Sequence, residues 1–502
     1  MSENIRALIV ILFIATAFFA TANSTAISIT NSVNFTRRKN LWLAMTTTAF
    51  VSYNFWLYTL VAFLLLNYTN KRESNPPALY FSLLFVIPVA SIQIPGFGLI
   101  NFLFELSHPR ILSLFILLPA FFKLKRDKNS LPLGKSSSDK ALFAYLLLCA
   151  TLYLRDSSFT NNLRQIFYLF IDVFLPYYII SRELRDMQAF RDALLSLVFA
   201  IMILALLAIF EFVKHWVLYE TLTDVLKLEA QSGYLARDGM LRAVATAGQA
   251  IALGYLMVVG IGIFLFIQNS VTRTFMRWSG MSLLILGLIT PLSRGPWIGS
   301  IFLIGVFFAT GRYAIRRLLS LALIGIITLS LISVLPGGQR IINLLPFIGS
   351  TEKENVDYRE QLITNSLIVI KRNPWFGSIN YLNTPEMEAM RQGQGIIDIV
   401  NSYIQVALAT GLVGLGLYVS FFLLTLWGLF RAITSSTDKE SDEQLLGRAL
   451  FSTLSAILFI IFTVSSITII PIVYWSVAGL SVAYITMIKE SKKSKFQSIT
   501  TK

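Results

Sequence analysis

The sequence predicts an all-α fold, a polytopic membrane helix bundle of about 12–14 transmembrane helices with a large outer loop containing short helices. Three observations lead there. Of the 502 residues, 55% are apolar and only 14% charged, with a mean hydropathy of +0.67, whereas a soluble domain carries about 25% charged residues. Apolar runs long enough to cross a bilayer recur along the whole chain. Lys and Arg collect in the short segments between those runs, the pattern of cytoplasmic loops facing an anionic leaflet. This composition excludes a water-soluble enzyme. The charge of +15 is topological, and no nucleic acid is expected as a partner.

A spanning helix needs about 20 mainly apolar residues. Such runs are read at 5–22, 41–66, 79–95, 110–124, 140–154, 165–180 and 192–213, then at 247–268, 277–291, 295–311, 317–335, 402–430, 449–468 and 470–488. Pro88, Pro119 and Pro176 interrupt three of them, which predicts broken or re-entrant helices. The first run is read as an uncleaved helix because Arg6 alone forms its basic region, although Ala20-Thr21-Ala22 has the spacing of a cleavage site. With the N-terminus inside, the cytoplasmic side receives 25 Lys and Arg and the outer side 17, ten of them in the long loops 214–246 and 336–400. Long segments translocate with less regard to charge, so the contrast that matters is 25 against 7. Arg37, Arg38 and Lys39 fall outside and conflict with this arrangement. The chain divides into an N-terminal transmembrane region (1–184), a middle region with both outer loops (185–430), and a C-terminal transmembrane pair with a basic tail (431–502).

Both outer loops carry helix signals. Asp357 followed by Glu360 reads as a capping box opening a helix over 358–372, whose Leu362, Ile363, Leu367 and Ile370 form an apolar stripe. Thr221 and Asp224 repeat the spacing more weakly. The Ala407, Gly411 pair has the spacing of a helix contact.

Chemistry has few places to reside. Cys149 is the single cysteine and lies in an apolar run, and His108 and His215 are far apart, so neither a disulfide nor a zinc site is expected. Motifs for nucleotide phosphates, zinc proteases and serine hydrolases are missing, and no cofactor is expected. The segment Thr290-Pro291-Leu292-Ser293-Arg294-Gly295-Pro296-Trp297-Ile298-Gly299 is a tight turn between two apolar runs that sets Arg294 at the outer membrane face. A guanidinium at membrane depth costs from about 2.5 kcal/mol upward unless paired or wetted; the plain alternative is a snorkelling arginine at a helix end. A second basic segment holds Arg237 beside Asp238, which reads equally as a surface ion pair, and Arg242, which has no acid within three positions.

These residues carry a family resemblance. Ser293-Arg294-Gly295-Pro296-Trp297-Ile298-Gly299 resembles the S-R-G-x-W-x-G signature of the O-antigen ligase and polymerase superfamily, and Leu241-Arg242-Ala243 followed by Gly248 resembles its earlier arginine motif. The large loop is similar too, with Tyr358-Arg359, Asn373-Pro374-Trp375-Phe376-Gly377, Asn401-Ser402-Tyr403-Ile404-Gln405 and Thr410-Gly411-Leu412-Val413-Gly414 in order. The resemblance covers roughly 185–430, with one departure. Ligases of the family place a histidine immediately before the Asn-Ser pair, and Val400 holds that position here.

The resemblance implies a GT-C-like integral membrane glycosyltransferase of the bacterial inner membrane, its active site facing the periplasm. It would polymerise or transfer glycan units carried on a polyprenyl pyrophosphate, without a metal. The polymerase reading leads because Val400 cannot act as a base. A ligase that moves glycan to lipid A core or another acceptor is one alternative, and a polysaccharide or lipid transporter or flippase is another. Arg242 and Arg294 are expected to hold the donor pyrophosphate, because a planar guanidinium pairs bidentately with phosphate and stays charged. Asp398 is the candidate base, chosen over Glu386, Glu388 and the capping Asp357 for its place three residues before Asn401. Arg237, Arg359, Asn401 and Tyr403 are expected to line the substrate. The partners implied are the lipid-linked glycan, its acceptor, membrane lipids and other polysaccharide assembly proteins.

Overall fold

The computed structural model describes residues 2–98, 100–128, 131–155, 158–228, 235–237, 239–334, 353–392, 395–435, 441–467 and 469–500. Asp238 and the first part of the large loop, 336–352, lie outside the described residues. The chain opens with α1 (Glu3–Ile29), α2 (Ser32–Val51), α3 (Phe55–Asn70) and α4 (Pro76–Leu83). A hairpin of β1 (Ser91–Pro95) and β2 (Phe102–Ser107) follows, paired antiparallel with Ser91 opposite Ser107. Next come α5 (His108–Leu112), α6 (Leu118–Arg126), α7 (Ser137–Tyr153), α8 (Phe159–Tyr168), α9 (Leu175–Glu183), α10 (Met187–Lys214) and α11 (Glu220–Val225). A two-residue ladder, β3 (Ala236–Arg237) with β4 (Met240–Leu241), leads into α12 (Ala250–Ile267), α13 (Thr274–Ile289), α14 (Arg294–Ala309) and α15 (Ala314–Val334). The large loop holds α16 (Lys353–Arg372) and α17 (Pro385–Glu388), and α18 (Ser402–Thr434), α19 (Asp442–Ile461) and α20 (Ile470–Thr500) close the bundle. Seven of the described helical stretches are long and apolar enough to cross a membrane, and α13 and α14 are shorter apolar helices.

The predicted interruptions have a local cause. A π-helical segment, Ser113–Leu117, joins α5 to α6 just before Pro119, and another, Leu169–Phe174, joins α8 to α9 just before Pro176. Proline lacks an N–H and its ring clashes with the carbonyl one turn back, so the preceding turn widens. In the run containing Pro88, regular helix stops at Leu83. His108 is a fully buried core residue, with Nε2 2.8 Å from the Leu83 carbonyl and Nδ1 2.9 Å from the Tyr58 hydroxyl.

The N-terminal topology differs from the expected one. The 41–66 run is two helices, α2 and α3, separated by Ser52-Tyr53-Asn54. Tyr53 has φ 49°, and the Asn54 side chain accepts from Trp56 N at 2.8 Å to start α3. One helix more reverses the end at which the chain begins. Trp216 Nε1 donates to Glu3 at 2.9 Å, so the N-terminus lies beside the 214–246 loop. At the opposite end Arg38 binds Asp192 (Nη1 to Oδ1, 2.6 Å) and Glu73 (Nη2 to Oε1, 2.7 Å), and Asn75 Nδ2 reaches Asp192 at 3.0 Å. Burial of this cluster demands that pairing, since a buried charge without partners costs several kcal/mol. Arg37, Arg38 and Lys39 therefore join the basic end and Arg6 leaves it, sharpening the contrast from 25 against 7 to 27 against 5.

The centre of the bundle is α12, buried along nearly its whole length and packed against α10, α13, α14 and α19. Its glycines let neighbours approach: a methyl on Gly260 would stand 2.8 Å from Ile201 Cγ2, and one on Gly254 would stand 2.9 Å from Pro296 Cγ. That second contact fixes the start of α14 against the start of α12.

The corrected topology is testable with single cysteines at Ser2, Ser32 and Thr384 in a Cys149→Ala background. An impermeant thiol reagent on intact spheroplasts should label Ser2→Cys and Thr384→Cys alike and leave Ser32→Cys unlabelled until the membrane is opened. Ser2→Cys behaving like Ser32→Cys would contradict it.

Candidate active site

The site is built at the end of the bundle opposite the Arg38 cluster, where α10 and α13 finish and α12 and α14 begin. Glu211, fully buried on the last turns of α10, accepts three backbone N–H groups: Leu218 (3.0 Å), Val244 (3.1 Å) and Ala245 (2.9 Å). Ala245 at φ 44° and Gly248 at φ 79° turn the chain so that its amides point inward at that carboxylate. Thr246 adds a bond to the Phe85 carbonyl at 2.9 Å. The segment after Arg242 is thus a rigid ledge.

That ledge meets the turn between α13 and α14. Leu292 has φ 47°, and residues of the β3–β4 ladder and the ledge donate to the turn's carbonyls. Ala243 N donates to Thr290 O at 3.2 Å, Arg242 Nε donates to Pro291 O at 3.1 Å, and Arg237 Nη1 donates to Leu292 O. Arg294 is the first residue of α14, three positions past Pro291, and Trp297 locks the helix start by donating from Nε1 to Leu288 O at 2.8 Å. Arg237 and Arg242, read separately from sequence, bind the 290–293 turn, and Arg294 follows directly on it. All three are only partly exposed.

The turn adjoins a strip after α19, Thr463 to Ser466, which sequence reading missed. A methyl on Gly295 would stand 3.3 Å from Thr463 Oγ1 and 3.9 Å from Val464 Cγ2. On the strip's other side Ser402 Oγ donates to Val464 O at 2.9 Å, and Ser465 Oγ donates to the Asp398 carboxylate. Through this strip Asp398 is linked to the start of α14. Tyr358 on α16 donates its hydroxyl to Asp398 O at 2.9 Å, and Arg359, the next residue, is exposed. The serine-rich run Thr463-Val464-Ser465-Ser466 within an otherwise apolar stretch was the available signal.

Other expected residues are engaged inside the fold. Asn401 is the N-cap of α18, accepting from Tyr403 N (2.9 Å) and Ile404 N (3.1 Å). Tyr403 donates its hydroxyl to Leu458 O at 2.9 Å and packs on Tyr418 and Phe462. Val400 is half-buried against the cluster containing Leu362, Met387 and Ile399. Arg372 binds Glu386 (Nη1 to Oε2, 2.9 Å) and Arg391 binds Glu388 (Nη2 to Oε1, 2.7 Å), and these bonds hold both carboxyls below their ordinary values, making them poorer bases than an unpaired carboxylate. The expected cap at Asp357 is displaced, because α16 already begins at Lys353 and Asp357 lies inside it. Likewise α11 begins at Glu220, so Thr221 is inside that helix. Among the described residues no group of three or more His, Cys, Asp or Glu is gathered that could hold a metal ion.

The loop motifs Asn373-Pro374-Trp375-Phe376-Gly377 and Thr410-Gly411-Leu412 are two halves of one joint. Gly411 breaks α18 with φ 69° and ψ −171°, freeing its neighbours' amides, and Leu412 N donates to Pro374 O (2.7 Å) and Val413 N to Trp375 O (3.2 Å). Ser378 N returns a bond to Leu408 O at 2.9 Å. The contact at Gly411 is with this loop backbone and not with a neighbouring helix: an added methyl would stand 2.3 Å from Trp375 O. This joint anchors the large loop directly over the N-terminal turns of α18, and so fixes Asp398.

Residues 279–419 match the family described as O-antigen ligase. The match contains Arg294, Arg359, Asp398, Asn401, Tyr403 and both halves of the joint, and it stops short of Arg237 and Arg242. It supports the resemblance to the O-antigen ligase and polymerase superfamily, in a chain whose fold is an all-α polytopic membrane bundle. No curated protein matches the chain significantly.

Two substitutions separate the joint from ordinary helix packing. Gly411→Ala forces a side chain into left-handed backbone and onto Trp375 O, and should destabilise the protein by about 2 kcal/mol or more. Gly416→Ala, in the same helix with no heavy atom within 4 Å of the added methyl, should be neutral or slightly stabilising. Thermal unfolding in detergent would check both. A second expectation concerns the ledge. Glu211→Gln replaces one acceptor oxygen by a donor facing backbone N–H groups, so activity should fall steeply while the bundle still purifies as a monodisperse species.

Proposed function

We propose that the protein is an integral membrane glycosyltransferase that polymerises glycan units carried on a polyprenyl pyrophosphate at the periplasmic face of a bacterial inner membrane. The observation that supports it is that Arg237 and Arg242 bind the 290–293 turn and Arg294 follows directly on it. Outside the cytoplasmic membrane there is no nucleotide-sugar pool, so the donor must arrive activated on lipid. Its pyrophosphate needs cations that stay charged and hold a fixed geometry, which arginine supplies.

In this reading Arg242 and Arg294 grip the donor pyrophosphate and Arg237 and Arg359 border it. The acceptor hydroxyl oxygen attacks the anomeric carbon while its proton passes to Asp398, which Ser465 and Tyr358 orient through bonds to its side chain and carbonyl. The bond from the anomeric carbon to the pyrophosphate oxygen breaks, and polyprenyl pyrophosphate leaves with the electron pair. The two arginines stabilise the charge growing on that oxygen, an effect worth about 3–4 kcal/mol for one well-placed donor. No metal is required for this step. Val400 at the ligase histidine position favours growth of a lipid-linked chain over transfer to lipid A core.

Purified protein given a lipid-linked repeat unit should release polyprenyl pyrophosphate without ATP and in the presence of EDTA. Arg242→Ala or Arg294→Ala should lower turnover by about 100-fold or more, and Arg294→Lys should fail nearly as badly, since an ammonium keeps the charge and loses the fork. The double variant should be far less than additive, because the two groups serve one transition state. Movement of the substrate across proteoliposomes with no bond cleaved would sink the enzyme reading.

A further inference from the structure

A cavity with a basic rim lies at the basic end of the bundle, away from the arginine turn. It occupies about 330 Å³ between α18 and α20 beside the start of α7. The two long helices meet closely at Gly428, where an added methyl would stand 2.7 Å from Ile485 Cδ1. Arg431 from α18 and Lys489 and Lys492 from α20 line the opening, with Ser137 of α7 facing them. Among its described lining residues there is no carboxylate. Three cations around one small cavity give it a positive potential that favours an anion between them.

The rest of the lining says what kind of anion. Trp427 stands one turn above Arg431, with the guanidinium 5.3 Å from its ring, and Ile485 continues the wall toward the apolar middle of the bundle. Lys492 Nζ donates to the Ser435 carbonyl at 3.1 Å, which closes the lower rim across the end of α18. The cavity is therefore cationic and hydroxylated at its mouth and aromatic and aliphatic above. A soluble phosphate would use only the mouth. A lipid phosphodiester would use both halves, its headgroup among the cations and the start of an acyl chain along Trp427 and Ile485, at the level where tryptophan and basic residues mark a membrane interface.

We propose that this cavity binds the headgroup of an anionic phospholipid and locks the cytoplasmic ends of α18 and α20 together. It is independent of the chemistry assigned to the arginine turn. The test is native mass spectrometry of the full chain in detergent with phosphatidylglycerol or phosphatidylcholine of identical acyl chains. Wild type should retain phosphatidylglycerol over phosphatidylcholine by about tenfold, and R431Q/K489Q/K492Q, whose changes are at exposed positions, should abolish that preference. Glycerol 3-phosphate in millimolar excess should leave the bound lipid in place; displacement would assign the site to free phosphate and overturn the lipid proposal. Equal retention of both lipids by wild type would overturn it without reference to any variant.

Discussion

In a bilayer, every backbone carbonyl outside a helix needs a donor supplied by the protein itself, and the turn between α13 and α14 is where this constraint decides the architecture. Thr290, Pro291 and Leu292 all present carbonyls there, and one of these residues is a proline that cannot donate. The donors come from a different segment: one backbone amide, Ala243 N, and two guanidiniums, those of Arg242 and Arg237. Satisfying the turn and collecting positive charge are the same event. The buried Glu211 carboxylate follows from it, since its three amide bonds hold the ledge from which those donors reach.

The large loop obeys the same rule by different means. Where Gly411 interrupts α18, the loop backbone at Pro374 and Trp375 takes the hydrogen bonds the helix gives up. The loop is seated by these main-chain bonds together with the packing of Leu362, Val369 and Met387 in one cluster with Leu408 of α18. From that seat the chain runs past Asp398 to the Asn401 cap, and the strip at Thr463–Ser466 bridges this edge to the start of α14. The opposite end of the bundle is fastened by a buried ionic knot at Arg38, Glu73 and Asp192, which ties α2, the α3–α4 connection and α10.

Much of this was legible in the residues. Composition and apolar runs give the bundle, Pro119 and Pro176 mark the π-helical widenings, and the motif order marks the arginine turn and the joint. Other features were hidden because sequence does not reveal long-range partners. The break at Ser52-Tyr53-Asn54 hides in a continuous apolar run, and only Asn54 as a cap betrays it. The misfit of Arg37, Arg38 and Lys39 was itself the clue that the N-terminal end was reversed. Asn401 looked like a substrate ligand because it sits in a family motif, and its cap bonds account for it within the fold. Ser465 belongs to no motif, and only its bond to Asp398 marks it.

The account rests on Arg242 and Arg294 holding one pyrophosphate, and binding tests this more directly than turnover does. Native mass spectrometry can compare polyprenyl pyrophosphate with polyprenyl monophosphate on the wild type and on the Arg242→Ala, Arg294→Ala and double variants. The account predicts a wild-type preference for pyrophosphate that each single change removes, with no further loss in the double variant. A preference that survives both substitutions would contradict it.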